Sequence, residues 1–128
     1  MSGWTPDELR RVDGSDELHV ASDRPDGTRR PGVTIWVVRL DDDVYVRSAY
    51  GPGNGWFRRA QAAGTGHVSV GGVEKDVAFV TTDAAAADLH ARLDAAYHAK
   101  YDRFGPQIVG TVVGPAVVDV TLRLDARG

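Results

Sequence analysis

The densest cluster of chemically capable side chains runs from Arg47-Ser48 through Gly51-Pro52-Gly53-Asn54-Gly55 to Trp56, Arg58 and Arg59. Glycines let a backbone approach a ligand closely, and the first turn of a helix presents free N–H groups to an anion. Arginine adds a planar, permanently charged fork suited to phosphate. Together these residue types describe a phosphate cradle. They equally describe a hairpin-exit loop whose arginines pair with surface acids such as Asp41-Asp42-Asp43. The run is not a nucleotide P-loop, because the Gly-Lys-Ser/Thr ending is missing.

Other residues extend the inventory. Trp36, Tyr45 and Trp56 are able to stack on a planar ring, or to pack in a core. The segment Arg24-Pro25-Asp26-Gly27-Thr28-Arg29-Arg30 places three arginines where they clamp an acidic ligand or lie solvated. His19, His67, His90 and His98 lack metal-ligand spacing, so no metal site is expected, and His90 and His98 are expected on the polar side of a helix. His19 and His67 sit in strands from which a pocket could recruit an acid–base. Tyr97, Lys100 and Tyr101 recur at helical spacing; a Tyr/Lys pair donates protons, but the same stripe is what a core helix needs. No Ser-His-Asp order or nucleophile elbow occurs, and the catalytic residues stay unassigned.

These residues must be held by elements that the sequence delimits. Thr5, Pro6 and Glu8 form a capping box for a short helix ending before Gly14, with Trp4 and Leu9 placed as a hydrophobic staple. A strand is predicted over Glu17–Ala21, a loop over Ser22–Gly32, and a hairpin over Val33–Leu40 and Val44–Ala49 around the aspartates. On its second arm Val44, Val46 and Ser48 share one face, and Tyr45, Arg47 and Ala49 the other. A short helix follows over Trp56–Ala63, then a hairpin over His67–Val70 and Val73–Thr81 turning at Gly71-Gly72. The long helix is Asp83–Phe104, capped by Thr82 or Asp83 and carrying Leu89, Leu93, Tyr97 and Tyr101 every four residues. Strands are predicted over Ile108–Val113 and Val117–Leu124. Six short strands joined by hairpins favour a small closed or half-open antiparallel barrel, an α+β fold.

The 128 residues fit one domain with one real core. A net charge of −3 argues against broad binding to nucleic acid. The absence of cysteine removes disulfides, thiolate metal sites and a cysteine nucleophile. No apolar run is long enough for a membrane span, and Met1-Ser2-Gly3-Trp4 has neither a basic nor an apolar leader region, so a cytoplasmic location is expected.

The stretch from Ile35 to Ala60 (IWVVRLDDDVYVRSAYGPGNGWFRRA), with Tyr97-His98-Ala99-Lys100-Tyr101 on a late helix, resembles an uncharacterised bacterial domain family over most of the chain. More distantly it is similar to the split-barrel flavin-binding proteins, which include pyridoxamine-phosphate-oxidase-like and deazaflavin-dependent nitroreductase-like proteins. That resemblance implies a small antiparallel split β-barrel with a short N-terminal helix, a short helix after the central hairpin and one long helix before the last strands. It implies FMN or a deazaflavin coenzyme, held by Arg47, Ser48, Trp56, Arg58 and Arg59 with Trp36 near the ring. It also implies a homodimer and oxidoreductase chemistry on a small molecule. The loop after the hairpin has no lysine, where many deazaflavin-binding relatives carry one. The alternative is a cofactor-free barrel that binds or transforms a small hydrophobic metabolite.

Overall fold

The computed structural model describes residues 3–49 and 51–127; the N-terminal reading at Met1 and Ser2 falls outside them. Helix α1 (Pro6–Asp13) begins at the predicted capping box: the Thr5 hydroxyl accepts from Glu8 N–H, and the Glu8 carboxylate accepts from Thr5 N–H. It buries Leu9 and Val12, and Gly14 ends it. Trp4 is buried in the same core cluster as Leu9 and donates from Nε1 to the Leu124 carbonyl at 2.8 Å.

The strands are β1 (Glu17–Ser22), β2 (Val33–Trp36), β3 (Val38–Leu40), β4 (Asp43–Arg47), β5 (Thr65–Val70), β6 (Val73–Thr81) and β7 (Thr121–Ala126). They form one antiparallel sheet in the order β2-β1-β5-β6-β7-β4-β3. The first and last strands of that order are consecutive in sequence, separated only by Val37. The predicted single strand Val33–Leu40 is therefore the seam of a nearly closed barrel: its first half pairs with β1 and its second half with β4. Leaving the sheet at Val37 would orphan two buried backbone groups, which is costly. Helix α3 (Ala87–Tyr101) supplies their partners. The Tyr101 hydroxyl accepts from Val37 N–H at 3.0 Å and gives its one proton to the Val37 or Asp16 carbonyl, at 2.8 and 2.7 Å. The Lys100 ammonium donates to the carbonyls of Val37 and Val12, both at 2.9 Å.

Side-chain alternation on β4 divides the core as expected. Val44 and Val46 point into the barrel with Leu18, Val68, Leu122 and Leu124. Tyr45 faces the other way, under Leu93, Tyr97 and Tyr101 of α3. Helix α2 (Gly55–Ala63) covers one end of the barrel with Trp56, Phe57 and Ala60. It stops at Gly64, which takes a positive φ of 73°.

Besides the split of Val33–Leu40, which makes seven strands of the expected six, four expectations are corrected. The long helix starts at Ala87 without a side-chain cap, because Asp83 is engaged in a preceding turn, accepting from Ala85 N–H. After a 3-10 turn at Asp102–Phe104, the segment predicted as a strand over Ile108–Val113 opens as a short helix, α4 (Pro106–Val109). Pro106 suits the first position of a helix, and Val109 and Val112 are buried three residues apart, the spacing of a turn and not of a strand. The strand predicted over Val117–Leu124 begins only at Thr121, since Pro115–Val120 is a 3-10 helix burying Val117 and Val120. Lastly, His90 is not on the polar side of α3; it is buried at 4% exposure.

Candidate functional site

The residues singled out by sequence divide into two groups. Arg47 ends β4 on the face covered by α3, and its side chain is wholly buried. Nε donates to Thr121 Oγ1 at 3.0 Å, Nη1 to Asp94 Oδ1 at 2.6 Å and to the Val112 carbonyl at 2.9 Å. Nη2 lies 3.0 Å from His90 Nδ1. A guanidinium only donates, so Nδ1 is the acceptor and the imidazole carries its proton on Nε2, which donates to the Asp83 carbonyl at 3.0 Å. The guanidinium also lies 5.5 Å from the centre of the Tyr97 ring. Burial pushes the Tyr97 phenol far above its ordinary pKa. Arg47 thus ties β4, β7, α3 and the segment after α4 together.

Ser48 is buried as well. Its hydroxyl donates to the Gly51 carbonyl at 2.7 Å, and Asn54 Nδ2 donates to the Ala49 carbonyl at 3.2 Å. The glycine-rich loop is fastened to itself by these bonds, with Gly51 at a φ of 91°.

Arg58 and Arg59 emerge on the solvent side of α2, away from Arg47. With Arg24 and Arg30 from the loop between β1 and β2 they line an open basin of about 1030 Å³. Gly55 makes room for one of them: a Cβ there would sit 2.8 Å from Arg59 Nη1. Elsewhere the arginines meet carboxylates: Arg10 and Arg11 on Asp7, Arg29 on Asp76, Arg39 on Asp13, Arg92 on Asp41, Arg103 on Asp16 and Arg123 on Asp125. Among the described residues Arg24, Arg30, Arg58, Arg59 and Arg127 have no ion pair; Arg127 follows β7, outside the basin, where its charge acts on Asp76, and the charge of Arg24 acts on Asp26. Asp23 is the one carboxylate lining the basin, and it accepts from Thr65 Oγ1 at 2.8 Å. Arg30 Nε is buried with no hydrogen-bond partner among the described residues.

Trp36 and Trp56 do come together. They line an apolar slot of about 220 Å³ with Ile35, Ala49, Ile108 and Val112, and Arg47 forms part of its wall. Trp36 lies flat on Tyr101, centroids 4.0 Å apart at 8°. Trp56 is 5% exposed and meets Phe57 edge-on. A crevice walled by Trp56, Arg59, Arg30, Ser22 and Val33 separates slot from basin. Trp56 therefore belongs to slot and crevice, and Arg30 and Arg59 to crevice and basin. At about 10 Å³ the crevice has room for roughly one water.

Other candidates take structural places. Tyr45 packs under α3 and does not reach the slot. Tyr97, Lys100 and Tyr101 serve core and seam. Their environment still marks them: burial lowers the Lys100 ammonium to about 8 and raises the Tyr101 phenol. His67 is bracketed on the outer sheet by Asp76 at 3.0 Å and Glu74 at 3.1 Å, and this holds the Asp76 carboxyl below its usual range. His98 contacts Asp102, and Asp41 holds Arg92. No group of three or more metal-ligating side chains converges among the described residues. Sequence reading missed His90, Asp94, Ile108 and Val112. His90 carried a usable signal: with Leu93, Tyr97 and Tyr101 it follows the buried helical stripe.

The fold has solved counterparts. The conserved hypothetical protein Rv2991 of Mycobacterium tuberculosis is 15% identical, with a TM-score of 0.62 over 97% of this chain and 81% of that one. A candidate 5-nitroimidazole antibiotic resistance protein of Bacteroides thetaiotaomicron VPI-5482 is 14% identical, with a TM-score of 0.55 over 97% and 81%. At such identities the likeness concerns the split-barrel fold alone. No curated protein matches the chain. A family model matches residues 8–124, nearly every described element, and the chain accordingly belongs to DUF2255, a family described as an uncharacterized protein conserved in bacteria.

Proposed function

We propose that the chain is a flavin- or deazaflavin-dependent oxidoreductase domain acting on a small molecule. The observation that carries this reading is the clustering of the ion-pair-free arginines Arg24, Arg30, Arg58 and Arg59 in one basin, next to a slot walled by Trp36 and Trp56 and separated from it by the side chains of Arg30, Arg59 and Trp56. Four guanidiniums against one carboxylate suit an anionic chain. Arg30 Nε supplies a buried donor in want of an acceptor. The slot suits one face of a planar ring. In this reading FMN or the deazaflavin coenzyme, when bound, supplies the hydride chemistry. The chain's own residues do the rest: Arg58 and Arg59 grip the anion, Trp36 and Trp56 orient the ring and exclude water, and Arg47 and Ser48 fix the slot wall and loop.

The slot alone is smaller than the roughly 300–1,000 Å³ usual for such sites. A second copy of the chain is assigned the missing wall, making the working unit a homodimer. Without that wall, the same small volume favours the second reading, a cofactor-free barrel holding a small apolar metabolite. The split-barrel likeness, including that to a candidate nitroimidazole resistance protein, supports the first.

The test is an absorption spectrum followed by thermal-shift titrations with FMN, FAD and the deazaflavin coenzyme, comparing wild type with Arg58→Ala/Arg59→Ala. A ligand selective for the native state raises Tm by mass action. Each charged hydrogen bond lost is worth roughly 1.5–3 kcal/mol, so the double variant is expected to bind at least ~100-fold more weakly with an unchanged unliganded Tm. A chain indifferent to all three cofactors sinks the redox reading.

A further inference from the structure

A third concavity adjoins the slot. It is an open groove of about 820 Å³ between the start of β1, the Gly71-Gly72 hairpin and the end of α3, and its walls include Glu17, Ser69, Trp36, Phe104 and Ile108. Phe104 and Ile108, at 48% and 44%, are the large hydrophobic side chains left exposed among the described residues. Both face this groove. Phe104 lies 5.5 Å from Trp36, whose ring is backed by Tyr101, so the apolar wall is a supported aromatic platform. Trp36 and Ile108 line both groove and slot.

The charge of the groove is opposite to that of the basin. Asp16 is bonded to Arg103, whose guanidinium lies 4.5 Å from the centre of the Phe104 ring. Lys100 is turned onto the carbonyls of Val12 and Val37. Arg103 and Lys100 are thereby engaged, and His19 on the same wall meets Thr34 Oγ1 at 3.1 Å, while Glu17 is exposed with no hydrogen-bond or ion-pair partner among the described residues. An aromatic wall beside a free carboxylate attracts a flat cation through both the ring faces and the charge.

We propose that this groove is a binding site that selects a small aromatic cation, such as a protonated arylalkylamine, over a neutral or anionic aromatic. The assignment does not depend on the redox reading above.

The experiment is a two-dimensional NMR titration of the flavin-free chain with phenethylamine and, separately, with 3-phenylpropionate, two probes of one ring and opposite charge. Phenethylamine is expected to shift the amides of Glu17, Ser69, Gly71 and Gly72 and the Trp36 indole N–H saturably, with at least tenfold higher affinity than phenylpropionate. Glu17→Lys, at an exposed position, is expected to keep Tm and invert that order. Equal affinities, shifts mapping elsewhere, or no saturable binding overturn the proposal. So do ligand-free, concentration-dependent shifts of the same amides, which would mark a second copy on this face. Because no flavin is present, failure here leaves the FMN titration untouched, and failure of FMN to bind leaves the groove result standing.

Discussion

Lys100 offers the sharpest quantitative test of how the barrel closes. Its ammonium is half-buried against the seam at Val37, and burial lowers its pKa from 10.5 to about 8. The unfolded chain then holds a proton on this amine up to about 10.5, whereas the folded chain releases it near 8. Between those values the unfolded state binds more protons, so stability rises with pH; below 8 the cost of burying the charge is fully present. At ~1.4 kcal/mol per pKa unit the full shift is worth roughly 3 kcal/mol. Screening of a half-buried ammonium by solvent reduces this to roughly 1–2 kcal/mol. A neutral amine keeps two N–H groups, enough for the carbonyls of Val12 and Val37. Urea denaturation at pH 7.5, 8.5 and 9.5 is expected to show wild-type stability rising by roughly 1 kcal/mol across that window. Lys100→Met is expected to abolish the rise and to equal wild type most nearly at pH 7.5. The window closes near pH 10, where tyrosines ionise in the unfolded chain while burial opposes ionisation of Tyr97 and Tyr101 in the fold, and stability turns down. A wild-type profile that is flat or falling between pH 7.5 and 9.5, or a parallel rise in Lys100→Met, refutes the placement of this amine. The functional consequence follows from the stack of Trp36 on Tyr101: the clamp that closes the barrel also fixes the ring shared by slot and groove.

Two further outcomes are expected. Asp94→Ala removes the carboxylate from the buried Arg47 guanidinium and should cost about 3 kcal/mol, the lower end for a broken buried pair because Asp94 is 31% exposed; equilibrium unfolding measures it, and a loss below ~1 kcal/mol contradicts the network. Gly66→Ala would place a Cβ 2.4 Å from the Ala21 carbonyl oxygen and 2.8 Å from the Phe79 ring. Separating β1 from β5 to admit it is expected to cost about 3 kcal/mol and lower Tm by roughly 10 °C, and an unchanged melt would show the two strands to be farther apart.

Local rules made much of the fold legible. The Thr5–Glu8 box, the Gly71-Gly72 turn, the alternation on β4 and the Tyr97–Tyr101 stripe each depend on neighbours in sequence, and each stands where expected. What failed depends on partners far along the chain. VTIWVVRL has every property of one strand, and nothing within it shows that Val37 leaves the sheet. Only Tyr101 and Lys100, more than sixty residues on, make that break tolerable. The C-terminal strands failed for a nearer reason: alternating valines suit a strand, but Pro106 and Pro115 start helical turns, and the buried pairs Val109/Val112 and Val117/Val120 have turn spacing.

The same distinction sorts the arginines. A glycine-rich loop brings Arg47 close to Arg58 and Arg59 in sequence and groups them there. Yet the strand of Arg47 already separates them. If Tyr45 lies under the long helix, then Arg47, two residues on and on the same face, lies there too, and a guanidinium in that position must be matched by the helix above it. His90 and Asp94, one turn apart on α3, do this. A cation so matched has little left to offer a ligand. Arg58 and Arg59 stand on the outer face of α2 without an ion pair, beside Arg30 in the same state and Arg24, whose charge acts on Asp26. In a chain whose acids outnumber its bases, leaving four arginines unpaired in one basin is an arrangement that surface electrostatics alone does not favour, since each has like charges for neighbours. An anionic ligand would remove that repulsion, which is why the proposed anion site is put on α2 and the β1–β2 loop and not at the end of the hairpin.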